Sequence, residues 1–273
     1  MPELKSPELV DSHAHLDVSE FNPDREEVLA RAKSQGVNWV LCPLDACSEE
    51  SLRNGLELQQ KHENIFLAAG VHPHQAKDLK PKHLELIKKL AGEGKILAIG
   101  EIGLDFHYNF SDPEKQIEAF RLQLELASEL KLPVIIHSRQ AADKIIEAIE
   151  GTKFDQRGIL HCFTENYNLA RILIDRGFMI SFSGLLTYLR ADNIREAALK
   201  LPLRTMLVET DSPYLVPFPE KKTWKRNEPS FVVSTANYLA KLKNVQLMEL
   251  AEITTRNFFQ FFHLKKDWPG DKI

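Results

Sequence analysis

The sequence predicts an α/β protein of the (β/α)8 barrel (TIM barrel) class, folded as a single domain over residues 1–273. Eight short apolar runs alternate along the chain with amphipathic stretches of helical length. The runs are almost continuously apolar, which is typical of parallel strands covered by helices. A doubly wound open sheet is the alternative, but an open sheet usually has fewer strands.

The predicted strands, in chain order, lie at residues 9–15, 37–44, 65–71, 96–102, 133–137, 158–161, 178–182 and 206–209. The predicted helices lie at 25–35, 81–91, 113–130, 141–149, 169–176, 193–199, 231–242 and 247–262. In the 113–130 stretch, Ile117, Phe120 and Leu124 recur at helical spacing. Asp112 followed by Pro113 is a typical helix start. The last helix carries Phe258, Phe259, Phe261 and Phe262, which we expect to pack on the barrel.

Composition and charge restrict the class of protein. Hydrophobic residues make up 43% and charged residues 27%, which excludes a disordered, collagen-like or coiled-coil chain. Lys plus Arg number 35 and Asp plus Glu number 39, so the formal net charge is −4. No large basic field is therefore available for nucleic acid, and such a partner would need a local basic patch or bound cations.

The cysteine content and the apolar runs predict a cytoplasmic protein. Cys42, Cys47 and Cys162 cannot all pair, and they are too few for a disulfide framework. We expect them to be buried or incidental thiols. The first residues have no apolar signal region, and no apolar run reaches the roughly 18 residues of a membrane-spanning helix.

Polar residues follow the predicted strands at their carboxyl ends, which is where barrel enzymes build their active sites. The segments are 11–15 (DSHAH), 70–74 (GVHPH), 100–105 (GEIGLD), 135–139 (IIHSR), 160–162 (LHC) and 209–213 (ETDSP). His13 and His15 are two residues apart, so on a strand both side chains point to the same side.

Four imidazoles and two carboxylates from these segments form the candidate metal-binding set: His13, His15, Glu101, His137, His161 and Asp211. They are sufficient for two divalent ions that share a bridging carboxylate, an arrangement typical of hydrolysis. A histidine-rich set favours zinc, manganese or iron, whereas all-oxygen sites favour magnesium, and cellular availability can override either preference. We expect surface or packing roles for His62, His83, His107 and His263, which lie on predicted helices or loops.

A basic loop follows the last predicted strand. Its four cations, Lys221, Lys222, Lys225 and Arg226, surround Trp224. The cations could hold phosphates and the indole could stack a base. Arg139 lies beside His137 and is the stronger candidate for contacting phosphate.

Taken together, these segments resemble the TatD family of metal-dependent deoxyribonucleases, which is part of the amidohydrolase-like superfamily. The matching segments occur in the family's order over about residues 10–262. Besides the strand-end segments they include residues 161–163 (HCF), 209–215 (ETDSPYL) and 226–229 (RNEP).

The resemblance implies a (β/α)8 barrel with two divalent metal ions (Zn, Mn or Mg) bridged by Glu101. It implies one metal site completed by His13, His15 and Asp211, and a second completed by His137 and His161. The resemblance also implies that His72, His74 and Arg139 line the substrate phosphate. Family activity is hydrolysis of DNA, as a 3′–5′ exonuclease on single strands and in some members at abasic sites. The chain departs from the family at Thr164-Glu165, where a small Ser-Gly pair is expected.

We therefore predict a two-metal phosphodiesterase acting on single-stranded DNA or 3′ ends, with a monomer favoured. Glu101 and Asp211 are the predicted catalytic residues, and Asp211 is placed to orient a water molecule and take its proton. One alternative is a binuclear hydrolase of small esters, lactones or amides. Its rate should be unchanged when the four cations of the basic loop are replaced by neutral residues. The other is a non-catalytic metal- or nucleic-acid-binding protein.

Overall fold

Eight parallel strands pair in chain order in the computed structural model, which describes residues 7–108 and 110–265. The strands are β1 (Leu9–Asp11), β2 (Val37–Asp45), β3 (Ile65–Gly70), β4 (Ala98–Asp105), β5 (Val134–Arg139), β6 (Gly158–Leu160), β7 (Met179–Phe182) and β8 (Met206–Val208). The predicted barrel class is confirmed. The predicted domain boundaries at residues 1 and 273 lie outside the described residues and stay a prediction.

The barrel closes between β8 and β1. The Ser12 amide donates to the Val208 carbonyl at 3.1 Å. Beyond it, the buried Asp11 carboxylate accepts the Thr210 amide at 2.9 Å and the Thr210 hydroxyl at 2.5 Å. These hydrogen bonds join the first and last strands, so the open-sheet alternative is wrong.

Nine helices cover the sheet within the described residues: α1 (Arg25–Ser34), α2 (Glu49–Lys61), α3 (Pro81–Gly92), α4 (Pro113–Leu130), α5 (Ala142–Gly151), α6 (Tyr167–Ile174), α7 (Asp192–Lys200), α8 (Val232–Lys243) and α9 (Leu247–Phe261). Helix α2 is absent from the predicted set; its buried face consists of Ser51, Gly55 and Leu58, so two of the three buried residues are small or polar. The Ser48 side chain caps it by accepting the Ser51 amide at 3.2 Å. In α4, Pro113 is the first residue as predicted, but the Asp112 side chain makes no capping hydrogen bond.

The phenylalanine run of α9 closes one end of the barrel. Its four rings are buried against inward-facing residues from the strands, which include Val10, Leu41, Ala98, Ile135 and Leu207. The predicted packing of this run on the barrel is confirmed. Because this end is filled, the opposite end, where the strands finish, is the one that can hold a site.

Strand β1 is shorter than predicted. It ends at Asp11, so His13 and His15 follow the strand instead of lying in it. The chain nevertheless stays close to β8, because Ala14 forms a parallel bridge with Ser212 and the Asp211 amide donates to the His13 carbonyl at 2.9 Å. No helix among the described residues is long and apolar enough to cross a membrane.

Candidate metal centre

Glu101 lies at the centre of the strand-end cluster, and its two carboxylate oxygens face different groups of histidines. Oε2 is 3.2 Å from His13 Nε2 and 3.5 Å from His15 Nε2. Oε1 is surrounded by three other imidazole nitrogens: His72 Nε2 at 3.2 Å, His137 Nδ1 at 3.0 Å and His161 Nε2 at 2.7 Å. The carboxylate is therefore positioned between two sets of nitrogen donors.

An irregularity in β4 presents Glu101 to this cluster. The pairing of β4 with β5 shifts register between Ile99 and Ile102, and irregularities of this kind redirect side chains beside active sites. Gly103 has a φ of 135°, and a Cβ there would lie 2.0 Å from the His137 carbonyl oxygen. Only glycine fits this close approach, which keeps His137 beside Glu101.

Asp211 borders the His13 and His15 side of the cluster. Its Oδ1 lies 3.6 Å from His15 Nε2 and 3.9 Å from His13 Nε2. The two histidine Nε2 atoms are 3.3 Å apart. Candidate ligand atoms lie within 4.8 Å of one another in three groups: His13 with His15 and Asp211; His13 with Glu101 and His161; and His72 with Glu101 and His137. All six predicted metal ligands are thus brought together.

The electrostatics of the cluster suit divalent cations. Burial raises the pKa of Glu101, but the charges of His161, His72 and His13 outweigh burial and hold that pKa well below its usual range. Burial lowers the pKa of His15, but the nearby carboxylates of Asp211 and Glu101 raise it to about 9.

Burial lowers the pKa of His72 to about 4, so this imidazole favours its neutral form, which is the form that binds metal ions. In the described part of the chain, neither Glu101 nor Asp211 forms an ion pair with Lys or Arg. Imidazole nitrogens and carboxylate oxygens that converge without a Lys or Arg counterion form a donor set that fits divalent metal ions.

Two buried carboxylates that sequence reasoning missed support these histidines. Asp105 Oδ2 lies 3.0 Å from His74 Nε2 and 3.2 Å from His137 Nε2. Glu209 Oε1 accepts the Cys162 amide at 2.7 Å and lies 3.3 Å from His161 Nδ1. Both occur in segments that the sequence had singled out, and the available signal was a second carboxylate in a segment that already supplied Glu101 or Asp211.

The residues predicted to contact substrate divide into two groups. His72, His74 and Arg139 lie at the mouth of the barrel, and His72 is among the candidate ligand atoms instead of at the rim. Trp224 and Arg226 lie on the loop after β8. The Trp224 ring packs edge-to-face on Phe231 with ring centroids 5.2 Å apart, and it stays 45% exposed.

Arg226 is already engaged by the protein. Its guanidinium donates to both carboxylate oxygens of Asp24, at 2.9 and 2.7 Å, and lies over the Phe21 ring at 4.7 Å. Phosphate contact by Arg226 and Trp224 stays a prediction. The departure at Thr164-Glu165 also lies near the mouth, because Glu165 Oε1 accepts the Ser138 hydroxyl at 2.9 Å. The Glu165 carboxylate therefore contacts Ser138, which immediately precedes Arg139 on β5.

The remaining histidines and cysteines lie outside the three ligand groups of the described residues. Cys42 is buried and donates to Asp17 at 3.4 Å, and Cys47 Sγ lies 3.4 Å from His83 Nδ1. Burial raises the pKa of Cys162 well above its usual range, which disfavours a thiolate. The three cysteines are free.

Comparisons with known proteins identify a family for this chain. A family model described as TatD related DNase matches residues 10–263. The metal-dependent hydrolase YcfH of Escherichia coli strain K12, itself uncharacterized, is 40% identical over 260 residues and aligns with 94% of this chain and 96% of its own length. The 3′-5′ ssDNA/RNA exonuclease TatD of Salmonella typhimurium strain LT2 is 33% identical over 260 residues. The alignment covers 94% of this chain and 99% of that relative.

Among solved structures, the TatD homologue YJJV from E. coli K12 superposes with a TM-score of 0.85 at 28% identity, covering 94% of this chain and 98% of that one. The barrel and its cluster of histidines and carboxylates thus define a metal-dependent hydrolase. The chain belongs to the TatD family.

Proposed function

We propose that this protein hydrolyses phosphodiester bonds in DNA with a binuclear metal centre, acting as a 3′–5′ exonuclease on single strands. The observation that carries the proposal is the position of Glu101, whose two oxygens face separate sets of imidazoles. A carboxylate in this position suits a bridge between two cations. The activity of the Salmonella relative on single-stranded DNA and RNA supports a nucleic-acid substrate.

In this proposal the residues divide between two ions. Glu101 serves both; His13, His15 and Asp211 complete one site, and His137 and His161 complete the other. His72 Nε2 lies within reach of the second site. When bound, divalent ions polarise the phosphoryl oxygen and lower the pKa of water, which is the chemistry that phosphodiester hydrolysis needs.

The protein side chains supply proton transfer and positioning. Asp211 is 14% exposed at the mouth; burial raises its pKa, but the neighbouring imidazoles of His15, His161 and His13 outweigh burial and lower it. It is therefore ionised near neutral pH and can accept a proton from the attacking water. Arg139 and His74 line the mouth, where they can hold the scissile phosphate.

The test is a cleavage assay with metal-reconstituted protein and a His137→Ala variant. The substrates are 3′-labelled single-stranded DNA, the same sequence as RNA, an abasic duplex and an aryl ester, each under zinc, manganese and magnesium. Release of 3′ nucleotides by the wild type, absent in His137→Ala, is expected. Nicking of the abasic duplex by the same centre would add endonuclease activity.

Ester cleavage with intact nucleic acid would overturn the proposal in favour of a small-molecule hydrolase. Tight metal binding with no turnover of any substrate would overturn it in favour of a binding protein. We further propose a cytoplasmic location, supported by the free thiols, which suit a reducing compartment, and a monomeric state. Size-exclusion chromatography with light scattering tests the monomer, and a dimer mass would contradict it.

A further inference from the structure

Two exposed aromatic rings, Tyr108 and Phe110, lie side by side on the loop after β4. Tyr108 is 49% exposed and Phe110 is 56% exposed. Their planes are 15° apart and their centroids 5.6 Å apart, so the rings are stacked with an offset. We refer to this pair as the aromatic ledge. Large apolar rings left open to water in this way indicate a binding surface.

The ledge borders the metal centre. Both of its rings meet His74 edge-to-face, with centroids 5.8 Å away for Tyr108 and 4.8 Å away for Phe110. His74 is hydrogen-bonded to Asp105, whose carboxylate lies 3.2 Å from His137. A molecule held by the ledge is therefore next to the candidate ligands.

The backbone of the ledge is fixed by hydrogen bonds. Asp105 Oδ1 accepts the Tyr108 amide at 3.0 Å, and the Lys77 ammonium donates to the Phe110 carbonyl at 3.1 Å. The Ser111 hydroxyl, at the end of the loop, donates to the carbonyl of His74 in the segment after β3 at 2.8 Å. Because both ring-bearing residues are held by these bonds before substrate arrives, little of their conformational entropy is lost on binding.

A cation accompanies the rings. The Arg139 guanidinium carbon lies 4.5 Å from the centroid of the Tyr108 ring. Within residues 7–108 and 110–265, no carboxylate lies within salt-bridge distance of Arg139. An aromatic surface next to an unpaired guanidinium is the combination that holds single-stranded nucleic acid, because rings stack bases and the cation attracts the backbone phosphate.

We propose that the aromatic ledge stacks the base of the nucleotide next to the scissile phosphate, which Arg139 contacts. This inference rests on the proposed nuclease function and assigns its base-binding subsite. Stacking needs no base-specific hydrogen bonds, so the ledge predicts a requirement for a base but tolerance of its identity.

The test combines a double variant, Tyr108→Ala with Phe110→Ala, with two single-stranded oligonucleotides that differ by one abasic residue near the 3′ end. Cleavage is measured in manganese, and binding is measured by fluorescence anisotropy in calcium. Leu199→Ala, at an exposed apolar position on α7, is the control. For wild type, loss of the base should raise Kd and KM about tenfold. For the double variant, Kd and KM on the intact strand should already be raised by this factor. Removal of the base should then raise them no further.

Equal Kd and KM for the double variant and wild type on the intact strand would overturn the ledge, whereas cleavage by both would keep the nuclease proposal. If Kd rises on loss of either the rings or the base, but no substrate is cleaved, the ledge would be kept and the hydrolytic proposal overturned. Neither cleavage nor binding by the wild type would overturn both.

Discussion

Asp105 Oδ2 lies 3.2 Å from His137 Nε2, on the side of the imidazole ring away from Glu101, whose Oε1 lies 3.0 Å from Nδ1. One carboxylate therefore holds each nitrogen of the ring. In metal sites, a carboxylate on the outer nitrogen of a histidine fixes its tautomer and orientation and increases its basicity as a ligand.

The first prediction concerns this outer carboxylate. Asp105→Asn keeps the shape of the side chain but removes the charge that orients His137 and His74. Affinity for zinc should fall by about 10- to 100-fold, as measured by isothermal titration calorimetry. Asp155→Asn, an exposed change in the loop after α5, is the matched control. Equal zinc affinities for Asp105→Asn and wild type would show that Asp105 does not act through the ligands.

The second prediction uses the close approach of β4 to β5. In Gly103→Ala, the new methyl would collide with the His137 carbonyl oxygen in addition to the strain of a positive φ. The free energy of unfolding should fall by about 3 kcal/mol, because collision and strain add. Gly94→Ala has a φ of 65° with nothing within 4 Å, so it isolates the strain and should cost about 1 kcal/mol. Urea denaturation compares them, and equal losses would contradict the packing argument.

The third prediction concerns the link between Arg226 and Asp24. Hydrogen bonding from Arg226 lowers the pKa of Asp24 below its ordinary value of 3.8. The stabilisation is therefore complete above that ordinary value and is lost as pH falls through the lower folded-state pKa. A double-mutant cycle with Asp24→Ala and Arg226→Ala should give a coupling energy of about 1 kcal/mol at pH 7, on a partly exposed pair.

The same cycle separates a structural from a substrate role for Arg226. If its guanidinium serves Asp24 alone, Arg226→Ala should leave KM for single-stranded DNA unchanged. A rise in KM without a coupling energy to Asp24 would instead support the predicted phosphate contact.

The fourth prediction concerns the closed end of the barrel. Phe258 on α9 is fully buried against the strand residues that face the barrel interior. Phe258→Ala should therefore lower the free energy of unfolding by about 3–5 kcal/mol. Met248 on the same helix is 45% exposed, and Met248→Ala should change the free energy of unfolding by less than about 0.5 kcal/mol. Thermal denaturation measures both. A small effect at Phe258 would mean that α9 does not seal the barrel.

Much of the fold was predictable because it depends on local patterns. Apolar runs and helical periodicity specify the strands and most helices, and chain order then specifies a barrel. The convergence of His13, Glu101 and His137 was predictable too, since strand ends meet at one mouth. Helix α2 was not in the predicted set, and its buried face carries Ser51 and Gly55 where larger apolar side chains would signal a helix.

Contacts between side chains distant in sequence were beyond prediction. The pairing of Arg226 with Asp24 joins residues 202 positions apart. The support of His161 by Glu209, and the position of His72 among the candidate ligands, depend on rotamers that the fold imposes. The end of β1 at Asp11 depends likewise on the hydrogen bonds of its carboxylate to Thr210.

Glu101 is the residue that would hold both catalytic ions, and a metal titration of activity tests this role. Metal-free protein would receive manganese in steps while release of 3′ nucleotides from single-stranded DNA is followed. Activity should rise mainly with the second equivalent per chain and be lost in Glu101→Gln. Full activity at one equivalent, or undiminished activity in Glu101→Gln, would contradict the account.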